Sequence, residues 1–114
     1  MNPKIGNPMK ILWTDFASSV LAKIYSYYRV KASLKVAKKI KSDVFKAVRQ
    51  LEHHPQSGQI EETLKELGED HRYLVVGNHK VVYKQIPEGI LFTDVFDTRQ
   101  DPAKINDPER NPSR

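Results

Sequence analysis

Apolar positions along the chain change their period three times, and each change marks an element. Residues 10–13, Lys-Ile-Leu-Trp, are short, aromatic and β-branched, which predicts a strand. Phe16, Val20, Ile24 and Tyr27 then recur at helical spacing, with Ala17, Leu21 and Tyr28 widening the stripe. Thr14 or Asp15 supplies the N-cap, and this helix should end near residue 31. Ser33 caps a second helix, in which Ala37, Ile40, Val44, Val48 and Leu51 fall at intervals of three and four. His53-His54-Pro55 and Gly58 stop it. So short a connection predicts an antiparallel helical hairpin. Residues 61–67 form one or two helical turns closed by Gly68.

The period then becomes two. Arg72-Tyr73-Leu74-Val75-Val76 supplies both faces of a strand, and Gly77-Asn78 turns it. Val81/Tyr83 and Val82/Lys84 form the next strand, and Pro87-Glu88-Gly89 the next turn. In the last strand Ile90, Phe92, Asp94 and Phe96 share one face, and Leu91, Thr93, Val95 and Asp97 the other. The expected fold class is α+β. An N-terminal strand, an antiparallel two-helix hairpin and a three-stranded antiparallel meander assemble with the helices on one face of the sheet. The other face is expected to be open and polar. Residues 1–8 read as a flexible leader, 9–105 as one domain, and 106–114 as a disordered tail with no apolar residue to dock after Ile105.

Composition narrows the classes of function. The 114 residues contain no cysteine, which excludes disulfides and Cys-ligated metal centres. No apolar run approaches membrane-spanning length, and the N-terminus lacks the core of a signal peptide, so a cytoplasmic protein without membrane contact is expected. Net charge is +5, unevenly spread. Nine Lys or Arg and one acid lie between Lys23 and Arg49, and six acids with one lysine between Glu52 and Asp70. A basic middle favours an anionic partner; solvated helix faces are the plainer account of most of these lysines.

Candidate chemistry gathers near the strands. Arg72, Lys80 and Arg99 lie on or after three strands that a meander makes neighbours, and together they would hold a phosphodiester. Local pairing competes with that reading, most directly Arg99 with Asp97 or Asp101. Lys80 and Tyr83 differ by an odd number of positions and need not share a face. His79 is a weaker acid/base candidate. The spacing of the four histidines suits no metal site, and neither a phosphate-binding glycine loop nor a nucleophile–base pair is present. Tyr25, Tyr27 and Tyr28 are expected to line the helix–sheet core rather than stack bases.

Several of these stretches together resemble the RelE/ParE superfamily of toxins from bacterial type II toxin–antitoxin systems. They are Ile11-Leu12-Trp13-Thr14 with Ala17, Leu51 with Pro55 and Gly58, and Arg72-Tyr73-Leu74-Val75-Val76-Gly77. Lys80-Val81-Val82-Tyr83 follows, then Val95-Phe96-Asp97-Thr98-Arg99-Gln100-Asp101-Pro102. The resemblance spans about residues 10–105. It implies a growth-inhibiting toxin without cofactor or metal, neutralised by a cognate antitoxin that also carries the contact with operator DNA. The basic hairpin would suit an acidic antitoxin segment. RelE-like members cleave messenger RNA on the ribosome, and Arg72, Lys80 and Arg99 match the positions of their cations. The tyrosine expected after Phe96 is missing, with Ile105 near its place, and Asp94, Asp97 and Asp101 crowd the same region. ParE-like members bind DNA gyrase instead, and the Arg99-Gln100-Asp101-Pro102 ending resembles theirs. The resemblance therefore favours a ParE-like gyrase inhibitor, with the RelE-like ribonuclease as the alternative.

Overall fold

The computed structural model describes residues 8–110. Strand β1 (Ile11–Trp13) runs into helix α1 (Asp15–Lys31), and a two-residue link leads to helix α2 (Leu34–Gln50). Both predicted caps form: Thr14 Oγ1 accepts from the Ala17 amide at 3.0 Å and Ser33 Oγ from the Val36 amide at 3.1 Å. The chain continues through β2 (Gln59–Ile60), β3 (Arg72–Val76), β4 (His79–Ile86) and β5 (Gly89–Asp97). The sheet order is β1-β5-β4-β3-β2, with β1 parallel to β5 and every other pairing antiparallel. The helical hairpin and strands β2 to β4 all lie between β1 and β5 in the chain, which is the long connection that a parallel pair requires. Gly89, at φ +151°, lies against the Lys10 carbonyl and leaves no room there for a Cβ. That close approach lets β1 dock beside β5.

Helix α2 holds the helical layer to the sheet. Val44 and Val48, with Leu51 just beyond the helix, are buried against Val81, Tyr83, Ile90 and Phe92. Each fully buried Val or Leu contributes roughly 1.5–3 kcal/mol, so this seam, more than helix propensity, fixes α2. Helix α1 rests on α2 and β5, and only its Ala17 is fully buried. Its apolar stripe is wider than the surface it covers. Tyr27 is 56% exposed and neither Tyr25 nor Tyr28 is buried. Tyr27 is therefore a surface residue, and Tyr25 and Tyr28 are only half-buried, short of the core placement expected.

The sheet departs from strict alternation at one point. Val82 lies opposite Asp94 but Tyr83 opposite Phe92, so Thr93 is an extra residue in β5. The bulge inverts the facing of everything beyond it. Ile90 and Phe92 point to the helices, whereas Phe96 joins Val82 on the opposite face, so the expected sharing of one face does not hold. That opposite face is also not open. Leu64, from a 3-10 turn over Glu62–Leu67, and Ile105, from another over Pro102–Asn106, close a second apolar cluster on Val82 and Phe96. Two apolar side chains delivered by the bulge and the alternation required a cover, and the connector segments supply it.

Two further features lie outside the elements expected from the sequence. The connector begins with β2, which pairs Gln59 with Tyr73 and Ile60 with Arg72. Residues 108–110 form a 3-10 turn, and Arg110 donates to both carboxylate oxygens of Asp94, at 2.8 and 2.9 Å. An ion pair, with the guanidinium also over the Phe16 and Phe96 rings at 5.2 and 5.0 Å, anchors this start of the expected tail. Residues 111–114 and most of the expected leader, 1–7, lie outside the described residues. Among the described residues no helix is long and apolar enough to cross a membrane.

Candidate functional surfaces

The charged hook after β5 is built on Asp97. Its carboxylate accepts from the Arg99 backbone amide at 2.8 Å and from the Arg99 guanidinium at 3.0 and 2.7 Å. The Arg99 hydrogen bonds hold the Asp97 carboxyl down to about 2, and the same contact, helped by the Tyr28 phenol, raises the guanidinium further. Thr98 ties the hook to the β3–β4 turn: its amide and hydroxyl both donate to the Asn78 carbonyl, at 2.8 and 2.9 Å. Asp101 takes a separate task, capping the Pro102–Asn106 turn through the Ala103 amide at 3.0 Å. Of the two acids open to Arg99 in the sequence, Asp97 is the partner. The Arg99 side chain stays 60% exposed and so remains presented to a partner.

Arg72 and Lys80 lie elsewhere. Arg72 shares the helix-side face with Tyr83, its register partner, and donates to the carbonyls of Gln56 and Gly58 at 3.1 and 2.8 Å. It thereby folds the α2–β2 connection around Tyr83, whose buried hydroxyl donates to the Pro55 carbonyl at 2.8 Å and accepts from the Gly58 amide at 3.0 Å. Lys80 is on the opposite face, opposite Phe96. It reaches the buried Glu61 carboxylate at 2.8 Å and lies 4.3 Å from the Tyr73 ring centroid. Alternation in β4 puts Lys80 and Tyr83 on different faces, as their odd spacing allows. The three cations thus occupy three places, and Arg72 and Lys80 are consumed by structural partners.

His79 does join Arg99. It opens β4 opposite Asp97 and is 7% exposed. Burial lowers its affinity for a proton; Asp97 opposes this and Arg99 adds to it, and the balance favours the neutral imidazole. With Val20, Lys23, Ile24 and Tyr28 these groups line an open hollow of about 390 Å³ against α1. The hollow brings the Lys23 and Arg99 cations, the Asp97 carboxylate and the His79 imidazole to one place.

A second surface follows the helical hairpin. Trp13 stacks on Phe92 with centroids 4.7 Å apart and meets Phe45 edge-on at 5.9 Å. Trp13 and Phe45, together with Leu21 and Tyr25, line a mainly apolar cleft of about 420 Å³, and Lys41 lies 5.6 Å from the Tyr25 ring centroid. Periodicity singled out Leu21 as part of a helix stripe and the strand pattern included Trp13, but Phe45 fell in neither. That their apolar edges stay uncovered depends on how α1 packs on α2 and β5, which no local pattern encodes. Among the described residues no group of three or more His, Asp or Glu could hold a metal ion.

No curated protein matches the chain. Among solved structures, a chain of the chromosomal ParDE toxin–antitoxin system from P. aeruginosa is similar, with 21% identity and a TM-score of 0.65. The match covers 78% of this chain and 95% of that one, and at such identity it speaks for the fold. The family model of the ParE toxin of the type II toxin–antitoxin system parDE matches residues 11–102. That span takes in β1, the hairpin, the meander and the hook through Pro102, and the chain therefore belongs to the ParE toxin family.

Proposed function

We propose that this ParE-family toxin arrests growth by binding DNA gyrase, not by cutting message on the ribosome. The observation that carries this reading is the dispersal of the candidate cations. Cleavage by an attacking ribose 2′-hydroxyl needs positive groups converging on one phosphate. Here Lys80 is on the sheet face opposite Arg72 and is bound to Glu61, while Arg72 is bound to backbone carbonyls. What stays presented is a binding surface: exposed Arg99 beside the His79 hollow, and the aromatic cleft along the hairpin. A toxin of this family has a cognate antitoxin. The cleft is suited to an amphipathic antitoxin segment, and contact with operator DNA is assigned to the antitoxin. Purified toxin added to gyrase should block supercoiling, and its induction should raise an SOS reporter. Unchanged supercoiling, with loss of translation and codon-phased message ends after induction, would replace this reading with the ribonuclease one.

A further inference from the structure

Helix α2 carries a feature that neither the core nor the hook requires. Between Asp15 and Asp43 the chain has no Asp or Glu, yet it has seven Lys or Arg. Within α2, Lys35, Lys38, Ser42, Lys46 and Arg49 follow one another at intervals of three and four, so they form a single row along the helix. All five are exposed, and they lie opposite the buried Ala37, Val44 and Val48. Lys39 flanks the row and is paired with Asp43 at 2.8 Å. From Lys35 to Arg49 the row extends about 21 Å along the helix axis.

We propose that this row of α2 binds the phosphate backbone of duplex DNA, namely the DNA held by the topoisomerase target; the choice of that DNA rests on the gyrase reading above. The shape of the row is the reason. A straight line of cations with a hydroxyl among them matches a polyanion carrying one charge per about 1.7 Å of duplex. A protein partner would be met by apolar or aromatic anchors at the centre of the patch; here the exposed aromatic, Phe45, borders the row on the side of the apolar cleft and does not stand within it. The apolar cleft lies to one side, at Trp13 and Phe45, and stays available to a protein partner. The toxin would then bridge its target protein and the target's substrate, with the four cations of the row, which pair with no acid among the described residues, supplying contacts independent of base sequence.

The test is anisotropy of a labelled 30-base-pair duplex of arbitrary sequence, titrated with the whole toxin at 50 and 200 mM salt. Four phosphate contacts give a salt slope near −3.6, so affinity should fall about 150-fold between these conditions. The variant Lys35→Gln/Lys38→Gln/Lys46→Gln/Arg49→Gln keeps good helix formers at exposed positions and should lose binding. A control, Lys10→Gln/Lys65→Gln/Lys104→Gln, removes exposed charge elsewhere and should bind as the parent does. No duplex binding by the parent at 50 mM salt, or equal binding by the α2 variant, overturns the proposal. So does loss of capture by DNA-free gyrase in the α2 variant, because the row would then meet acidic protein. With the proposal right, that capture persists while trapping of the gyrase–DNA complex falls. Row-dependent duplex binding with gyrase unaffected would sink the target reading and still support DNA contact by α2.

Discussion

Lys80→Met separates a structural lysine from a chemical one. Lys80 Nζ is 2.8 Å from Glu61 Oε1, and the Glu61 side chain is 2% exposed against 23% for Lys80. Among the described residues, the other Glu61 oxygen accepts from the Thr63 amide alone, at 3.1 Å. Removing the ammonium leaves a buried carboxylate with one hydrogen bond, and breaking such a pair costs about 3–5 kcal/mol in a closed interior. Lys80 retains some solvent, so about 2–3 kcal/mol is expected here. In a domain of this size that lowers Tm by roughly 10 °C. Glu61→Gln in the Lys80→Met background should return much of the loss, since no uncompensated charge is then buried. Urea titrations of the two single variants and the double variant give the coupling directly. A loss under about 0.5 kcal/mol, or a double variant no more stable than Lys80→Met, would refute the assignment of Lys80 to the Glu61 pair. It would also return the lysine to the list of free cations.

The same reasoning predicts that Arg110→Ala strands Asp94, whose side chain is 1% exposed, and costs about 2–3 kcal/mol. Arg110→Ala/Asp94→Asn should be more stable than Arg110→Ala in thermal melts, and equal melts would show that Arg110 does not anchor the segment. His79 makes stability depend on pH. Its folded proton affinity lies below the ordinary value of 6.5, so the unfolded chain takes up the proton first. Stability should therefore fall as pH drops below about 6.5. His79→Gln should flatten that slope in urea titrations at pH 5 and pH 7.5, and an unchanged slope would place the cause elsewhere.

Where neighbours along the chain decide the outcome, the sequence was readable. Intervals of three and four located both helices, because a helix buries one stripe whatever it packs on, and Thr14 and Ser33 cap them through their own next turn. Gly77-Asn78 and Gly89 marked the strand turns for similar local reasons. The hook was legible as an ion pair, although choosing Asp97 over Asp101 needed the geometry. The bulge at Thr93 was not readable, since alternation continues across it and only the register with β4 reveals the extra residue. That shift turns Phe96 away from the helices and calls for Leu64 and Ile105 to cover it. Arg110 looked like tail because its partner, Asp94, lies sixteen positions away and is buried only once the sheet has closed. The sequence by itself determined the elements, their order and the family likeness, since these rest on period, caps and turns. Tertiary structure alone decided which cations are free: Lys80 and Arg72 acquire their partners from segments distant in the chain. A cation's availability depends on what folds against it.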